Sequence, residues 1–212
     1  MDQLLLDITP SSRPTFDNFV VGSNGELISV LQHALAGSSA ERCIYLWGDE
    51  GSGKSHLLQA CVNSNPDAVY ARASVPEPAD IVALDDVETL DDAAQIELFN
   101  LYNRMREKNR MLITSGSKSP LHLTLRDDLR TRLGWGLVYQ VHTLSDEEKR
   151  DALSQHALNK GFALAPEIGN YLLRHGRRDL TSLLAALDAL DEESRRLHRP
   201  PTIPLLKTIF ND

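Results

Sequence analysis

Residues 48–55 read Gly48-Asp49-Glu50-Gly51-Ser52-Gly53-Lys54-Ser55 and follow directly on the apolar run Cys43-Ile44-Tyr45-Leu46-Trp47. An apolar strand, a glycine loop and then a stretch free of glycine and proline leave few folds open to the chain. Glycines let the backbone curl so that successive N–H groups point inward at phosphate oxygens. Lys54 is placed to reach the β- and γ-phosphates, and the Ser55 hydroxyl to ligate Mg²⁺. Residues 54–63 read as a helix whose positive N-terminus faces the anion. The bland alternative is a glycine turn beside a surface lysine. The additional Gly51, and the setting of strand before and helix after, disfavour it. The pattern points to a bound nucleoside di- or triphosphate.

The surrounding pattern agrees. A helix is expected over 25–35, with Leu27, Ile28, Leu31 and Leu35 on one face. Strands are expected over 42–47, 68–72, 81–84, 111–114 and 137–141. A helix is expected over 92–107, carrying Ile96, Leu98, Phe99, Tyr102 and Met105, and a shorter one around 125–133. Such alternation predicts a parallel sheet covered by helices on both faces. From residue 145 the period is helical throughout: 145–160, 166–174, 180–197 and 203–210. Ser145-Asp146-Glu147-Glu148 reads as a capping box, and Pro166 suits a helix start. The expected organisation is an extended segment over 1–14, an α/β nucleotide-binding core over 15–143 and an all-helical lid over 144–212.

The chain has 212 residues and a formal net charge of −8, which argues against broad, non-specific DNA binding through phosphate neutralisation. No apolar run approaches the ~20 residues of a membrane span, so a cytoplasmic protein without a membrane partner is expected. Cys43 and Cys61, the two cysteines, read as small core residues in a reducing compartment. The seven histidines lack the spacing of a structural metal site.

Asp85-Asp86, at the carboxyl end of an apolar strand, supplies the second half of a phosphate site. One carboxylate can hold Mg²⁺ and the next can orient an attacking water. Two aspartates after a strand are otherwise a helix cap or a solvated turn. Arg126, Arg130 and Arg132 precede Gly134-Trp135-Gly136. They read either as arginines on an exposed helix face or as a cation presented to a phosphate, in cis or on a neighbouring subunit. Arg177-Arg178-Asp179-Leu180 reads as a basic turn or as a lid arginine closing over nucleotide.

Taken in order, Phe16-Asp17-Asn18-Phe19-Val20-Val21-Gly22, the phosphate loop, Ile81–Asp86, Leu112–Ser115, Arg130-Thr131-Arg132-Leu133-Gly134-Trp135-Gly136 and Arg177-Arg178-Asp179-Leu180 resemble the AAA+ module of the bacterial initiator DnaA. The stretch from Arg130 to Gly136 is particularly specific to DnaA relatives. The initiator's C-terminal helix-turn-helix domain is expected to be absent. The shorter form, led by Gln3-Leu4-Leu5-Leu6-Asp7-Ile8, resembles the Hda family of DnaA-homologous regulatory inactivators.

That resemblance implies a P-loop AAA+ core and lid that bind ADP or ATP with Mg²⁺. It implies an N-terminal peptide docked on the DNA polymerase III sliding clamp, and stimulated hydrolysis of ATP bound to DnaA. DNA would be reached only through the clamp. Gln3, Leu4, Leu6 and Ile8 would enter the clamp's groove as an extended peptide. Arg132 matches the arginine finger acting in trans, which implies contact between AAA+ modules and a homo-oligomer. Phe19, Val20, Val21, Gly48, Gly51, Ser52, Gly53, Lys54, Ser55, His56, Asp86 and Arg178 would bind nucleotide, with Ser55 and Asp85 on the metal.

Two departures bear on self-hydrolysis. Asp85-Asp86 stands where AAA+ ATPases usually carry Asp-Glu, as it does in DnaA itself. The polar sensor falls at Ser115-Gly116-Ser117, where DnaA relatives tend to be acidic, and Gly116 has no side chain to offer. Weak self-hydrolysis is expected, with an autonomous ATPase of the helicase-loader type as the competing reading. A DNA-binding accessory protein is a third.

Overall fold

The computed structural model describes residues 13–177 and 179–211. The chain divides into two compact units, one spanning Pro14–Thr143 and one built from Leu144–Asp212.

In the first unit five strands form one parallel sheet: β1 (Cys43–Trp47), β2 (Ala68–Arg72), β3 (Ile81–Asp85), β4 (Met111–Gly116) and β5 (Leu137–Gln140). Their order is β2-β3-β4-β1-β5. The near-continuous apolar runs of β1, β3 and β4 are explained by position, because these strands lie inside the sheet and are buried on both faces. The edge strands β2 and β5 are only half-buried.

Successive side chains on a strand point to opposite faces, so each inner strand feeds two cores. Ile44, Leu46, Ala83 and Ile113 pack with Leu27 and Leu31 of α1 (Gly25–Leu35) and with Leu57, Leu58 and Cys61 of α2 (Lys54–Asn63). Tyr45, Val82, Leu84 and Leu112 pack with Leu98, Leu101 and Met105 of α3 (Asp92–Glu107) and with Leu129 and Leu133 of α4 (Asp127–Leu133). Each fully buried leucine here contributes about 1.5–3 kcal/mol. The expected α/β class with helices on both faces is what the chain adopts.

Departures from the expected boundaries have local causes. The sheet continues past Thr114 because Trp47 pairs with Gly116. Helix α4 begins at Asp127 rather than Leu125, since the Arg126 N–H donates to Gln95 Oε1 at 2.9 Å. Single 3-10 turns at Gly22–Asn24, Val87–Thr89 and Pro120–His122 are too short to leave a periodic signal.

The second unit contains α5 (Asp146–Asn159), α6 (Pro166–His175), α7 (Leu180–Leu197) and α8 (Ile203–Asn211). The capping box forms as the sequence predicts: Glu148 N donates to Ser145 Oγ at 3.2 Å, and Ser145 N to Glu148 Oε2 at 2.7 Å. Asp179 caps α7 by accepting from Ser182 N at 2.8 Å. Leu153, Ile168, Leu172, Leu187, Leu190 and Leu206 share one core. Helices α5 and α7 are also tied through Asp188, which accepts from His156 Nε2 at 2.6 Å and pairs with Lys160 Nζ at 2.7 Å. Burial works against the charge on Asp188, but these bonds outweigh it and hold the carboxyl below its usual range. No helix among the described residues is long and apolar enough to cross a membrane.

Candidate functional site

The phosphate loop leaves the sheet where β1 ends beside β4 and β5, at the carboxyl edge where open α/β sheets hold ligands. Two of its glycines are fixed by close approach. A Cβ on Gly48 would lie 2.4 Å from the Val141 carbonyl oxygen, and one on Gly53 would lie 2.7 Å from Phe19 Cε2. Gly53 also has φ +100°, a conformation few L-residues adopt. It stands at the N-cap of α2 and offers no capping side chain, so the first N–H groups of the helix remain for an anion.

Lys54 is only 8 % exposed and donates Nζ to the Gly48 carbonyl at 2.8 Å and the Asp49 carbonyl at 3.0 Å. An ammonium has three donors, so one remains. The Ser52 Oγ is buried and has no hydrogen-bond partner among the described residues, a state that costs about 1–3 kcal/mol. An orphaned hydroxyl, a spare ammonium donor and an uncapped helix start make a cradle that fits a phosphate chain.

The chain before α1 is laced to α2, the helix that this loop starts. His56 Nε2 donates to the Thr15 carbonyl at 2.9 Å and Asn63 Nδ2 to the Pro14 carbonyl at 2.7 Å. Burial lowers the His56 pKa, which favours the neutral ring with its proton on Nε2. The Phe19 ring sits 5.4 Å from that of His56, centroid to centroid. Val20 is half-buried and Val21 exposed. Asn24, which sequence reasoning passed over, is 2 % exposed: its side chain donates to the His142 carbonyl at 3.0 Å and accepts from His142 N at 2.8 Å. An asparagine just ahead of a helix reads as an ordinary cap, so nothing in the sequence marks this bridge.

The carboxylates at the end of β3 are more engaged than expected. Asp85 is fully buried, and one oxygen accepts from Ser115 Oγ, the other from Tyr70 OH at 2.8 Å. Each oxygen thus accepts one bond and keeps a lone pair for a metal or its water. Ser115 Oγ also accepts the Asp86 N–H at 3.1 Å. Asp86 adopts φ +51° and pairs with Arg72 at 2.5 Å. Burial and the neighbouring Asp85 charge raise the Asp86 pKa, with the Arg72 charge opposing them. Tyr70 and Arg72 lie on β2, where Arg72 is in register with Asp85. Only the strand order reveals them.

Gly116 has a packing reason. A Cβ there would lie 2.1 Å from the Tyr45 Oη, which crosses to donate to the Lys118 carbonyl at 2.8 Å. The polar role at the end of β4 falls to Ser115, aimed at Asp85.

The three arginines around α4 differ in their partners. Arg126 bonds Asp128 at 3.1 Å and Arg130 pairs with Asp127 at 2.7 Å. Arg132 pairs with no carboxylate among the described residues. Its guanidinium lies 3.8 Å from the Trp135 ring centroid and 5.5 Å from that of Phe99 on α3. Arg106 of α3 also lies over Trp135, at 5.4 Å. The residues expected to bind the clamp, Gln3, Leu4, Leu6 and Ile8, and the lid residue Arg178 lie outside the described residues.

Comparison with known proteins follows the two units. The bacterial DnaA ATPase domain matches residues 11–76 and 70–140, and the lid domain of Hda matches residues 146–210. A protein of Haemophilus influenzae described as uncharacterized is 34% identical over 99% of this chain and 98% of its own length. Among solved structures, domain III of the Thermotoga maritima initiator DnaA superposes with a TM-score of 0.77 at 20% identity, covering 98% of this chain and 100% of that one. The AMPPCP-bound DnaA of Aquifex aeolicus gives 0.72 at 22% identity, over 91% of this chain and 71% of that one. The Thermotoga maritima Holliday junction branch migration motor RuvB gives 0.68 at 13% identity, over 92% and 70%. At such identities the structural likeness speaks for the fold.

Proposed function

Because this chain belongs to the DnaA-homologous AAA+ family and carries an Hda-type lid, we propose that it stimulates hydrolysis of ATP bound to DnaA and so restrains replication initiation. In this reading residues 3–8 dock on the sliding clamp of DNA polymerase III, which brings the protein to DNA in the cytoplasm. Arg132 enters a partner's nucleotide site. The chain's own nucleotide, ADP or ATP, sits in the loop from Gly48 to Ser55 beside Phe19 and His56, with Asp86 among its contacts; Arg178 keeps the lid-arginine role that the family resemblance implies.

The observation that carries the reading is the state of Arg132. Of the three arginines around α4 it alone has no carboxylate partner among the described residues, and so keeps its charge and donors for a phosphate. Electrostatic stabilisation of charge that develops in phosphoryl transfer needs a positioned cation, not a base, on the activating molecule. Lys54 and the loop N–H groups hold this chain's own phosphates. The AMPPCP-bound DnaA structure supports adenine as the base.

A bound Mg²⁺ would supply positive charge to the phosphate chain. Ser55 and Asp85 are the residues that would hold it, Asp85 through the lone pairs that Ser115 and Tyr70 leave. The pairing of Asp86 with Arg72, and the missing side chain at Gly116, favour an activator over an autonomous helicase-loader-type ATPase.

The test is hydrolysis of DnaA-bound ATP with clamp loaded on DNA, comparing wild type, a deletion of residues 1–8 and Arg132→Ala. Arginine fingers contribute about 10³–10⁵ in rate where measured, so Arg132→Ala is expected to bring stimulation to background with clamp binding intact. The deletion is expected to remove the clamp dependence. Full stimulation by Arg132→Ala defeats the assignment. Steady ATP turnover by the isolated protein, lost in Asp86→Ala, would instead favour the autonomous ATPase.

A further inference from the structure

We propose that Trp135 is a positioning residue for Arg132: its indole, with the Phe99 ring nearby, holds the guanidinium while leaving the N–H edge open to a partner's phosphate. The inference rests on the reading of Arg132 as the stimulating cation and identifies what aims it.

A guanidinium has two kinds of surface. Its edge carries five N–H donors in a rigid fork, and its faces stack on aromatic rings. A carboxylate partner consumes the edge and neutralises the charge, as Asp128 does for Arg126 and Asp127 for Arg130. An aromatic partner takes a face and leaves the edge free. Arg132 has partners of the second kind, with Trp135 at 3.8 Å and Phe99 at 5.5 Å. A free arginine side chain loses many rotamers when it is fixed in place. Holding it in advance lowers the cost of presenting it at the reacting centre.

The local backbone is built to hold the indole there. Trp135 N donates to the carbonyl of Arg132 itself at 3.0 Å, and Gly134 N to that of Arg130 at 3.2 Å, so the chain winds once past the end of α4. Directly after the tryptophan, a Cβ on Gly136 would lie 2.0 Å from the Cys43 carbonyl oxygen. The backbone is thereby pressed against β1, while the ring remains 53% exposed. Burial in a core does not account for a tryptophan at this place; a stacked cation on an accessible surface does. Arg106 meets the same ring at 5.4 Å and steadies it from α3.

The experiment compares wild type, Trp135→Leu, Trp135→Phe and Arg132→Ala in the clamp-dependent hydrolysis of DnaA-bound ATP. The protein's concentration is varied to separate the maximal rate from half-saturation. A cation–π contact of this kind corresponds to about 2- to 30-fold in rate. Trp135→Leu is expected to lower the maximal rate by that factor with half-saturation little changed, and Trp135→Phe to recover most of it.

A second readout needs no partner. In a Trp47→Phe background, acrylamide quenching of Trp135 fluorescence should rise when Arg132 is changed to Ala, because a ring face is uncovered. A full maximal rate for Trp135→Leu beside an inactive Arg132→Ala overturns the positioning role and leaves the finger standing. Equal losses for Leu and Phe, or unchanged quenching, also overturn it. A fully active Arg132→Ala would strike the underlying reading instead.

Discussion

Gly53 shows how one position can carry two constraints. Its φ of +100° disfavours any side chain, and a Cβ would press on the Phe19 ring at 2.7 Å. Gly53→Ala is expected to lower the unfolding free energy by about 1–3 kcal/mol in urea titration. A Phe19→Ala/Gly53→Ala pair should lose less than the sum of the single changes, because the collision belongs to both residues. The glycine itself is legible from the phosphate-loop pattern. Its partner Phe19 is legible only through resemblance, since the two stand 34 positions apart in the chain. Asp85 marks the opposite limit. Its place at the end of an apolar strand is plain in the sequence, but its bonds to Tyr70 and Ser115 depend on which strands flank β3. Linear order places β2 next to β1; the sheet instead sets β4 there and sends β2 to the edge.

At the scale of elements, hydrophobic period recovers strands and helices because each inner strand is buried on both faces and each helix on one. Single 3-10 turns escape it, being shorter than any period. Capping is as legible as burial. Ser145 and Glu148 satisfy each other's backbone donors at the start of α5. Ser145→Ala is expected to cost about 1 kcal/mol. Amide hydrogen exchange would show it as faster exchange in the first turn, at Glu148 and Lys149, with protection in α7 much less affected. Uniform loss of protection through the four helices would instead mean that Ser145 acts on the whole unit.

At the scale of the molecule, both thiols report on folding. Burial pushes Cys43 up to about 11 and Cys61 up to about 12, against an ordinary value of about 8.5. The folded chain therefore keeps protons that the unfolded chain sheds above about pH 8.5, so these groups make stability fall as pH rises from there toward the folded values. Urea midpoints at pH 7 and pH 10 should show the decline, and Cys43→Ala/Cys61→Ala should flatten it. Alkylation by iodoacetamide at pH 8 should follow unfolding in urea rather than precede it.

The lacing of residues 14–24 adds a mechanical property to the same molecule. Tension entering the chain at Pro14 meets the Asn63 and His56 hydrogen bonds along α2 before it reaches Phe19, and Asn24 anchors the far end at His142. A pull there would load two hydrogen bonds on α2, a helix packed against the sheet. The loop that starts that helix is thus strain-relieved, much as a cable is clamped ahead of its connector.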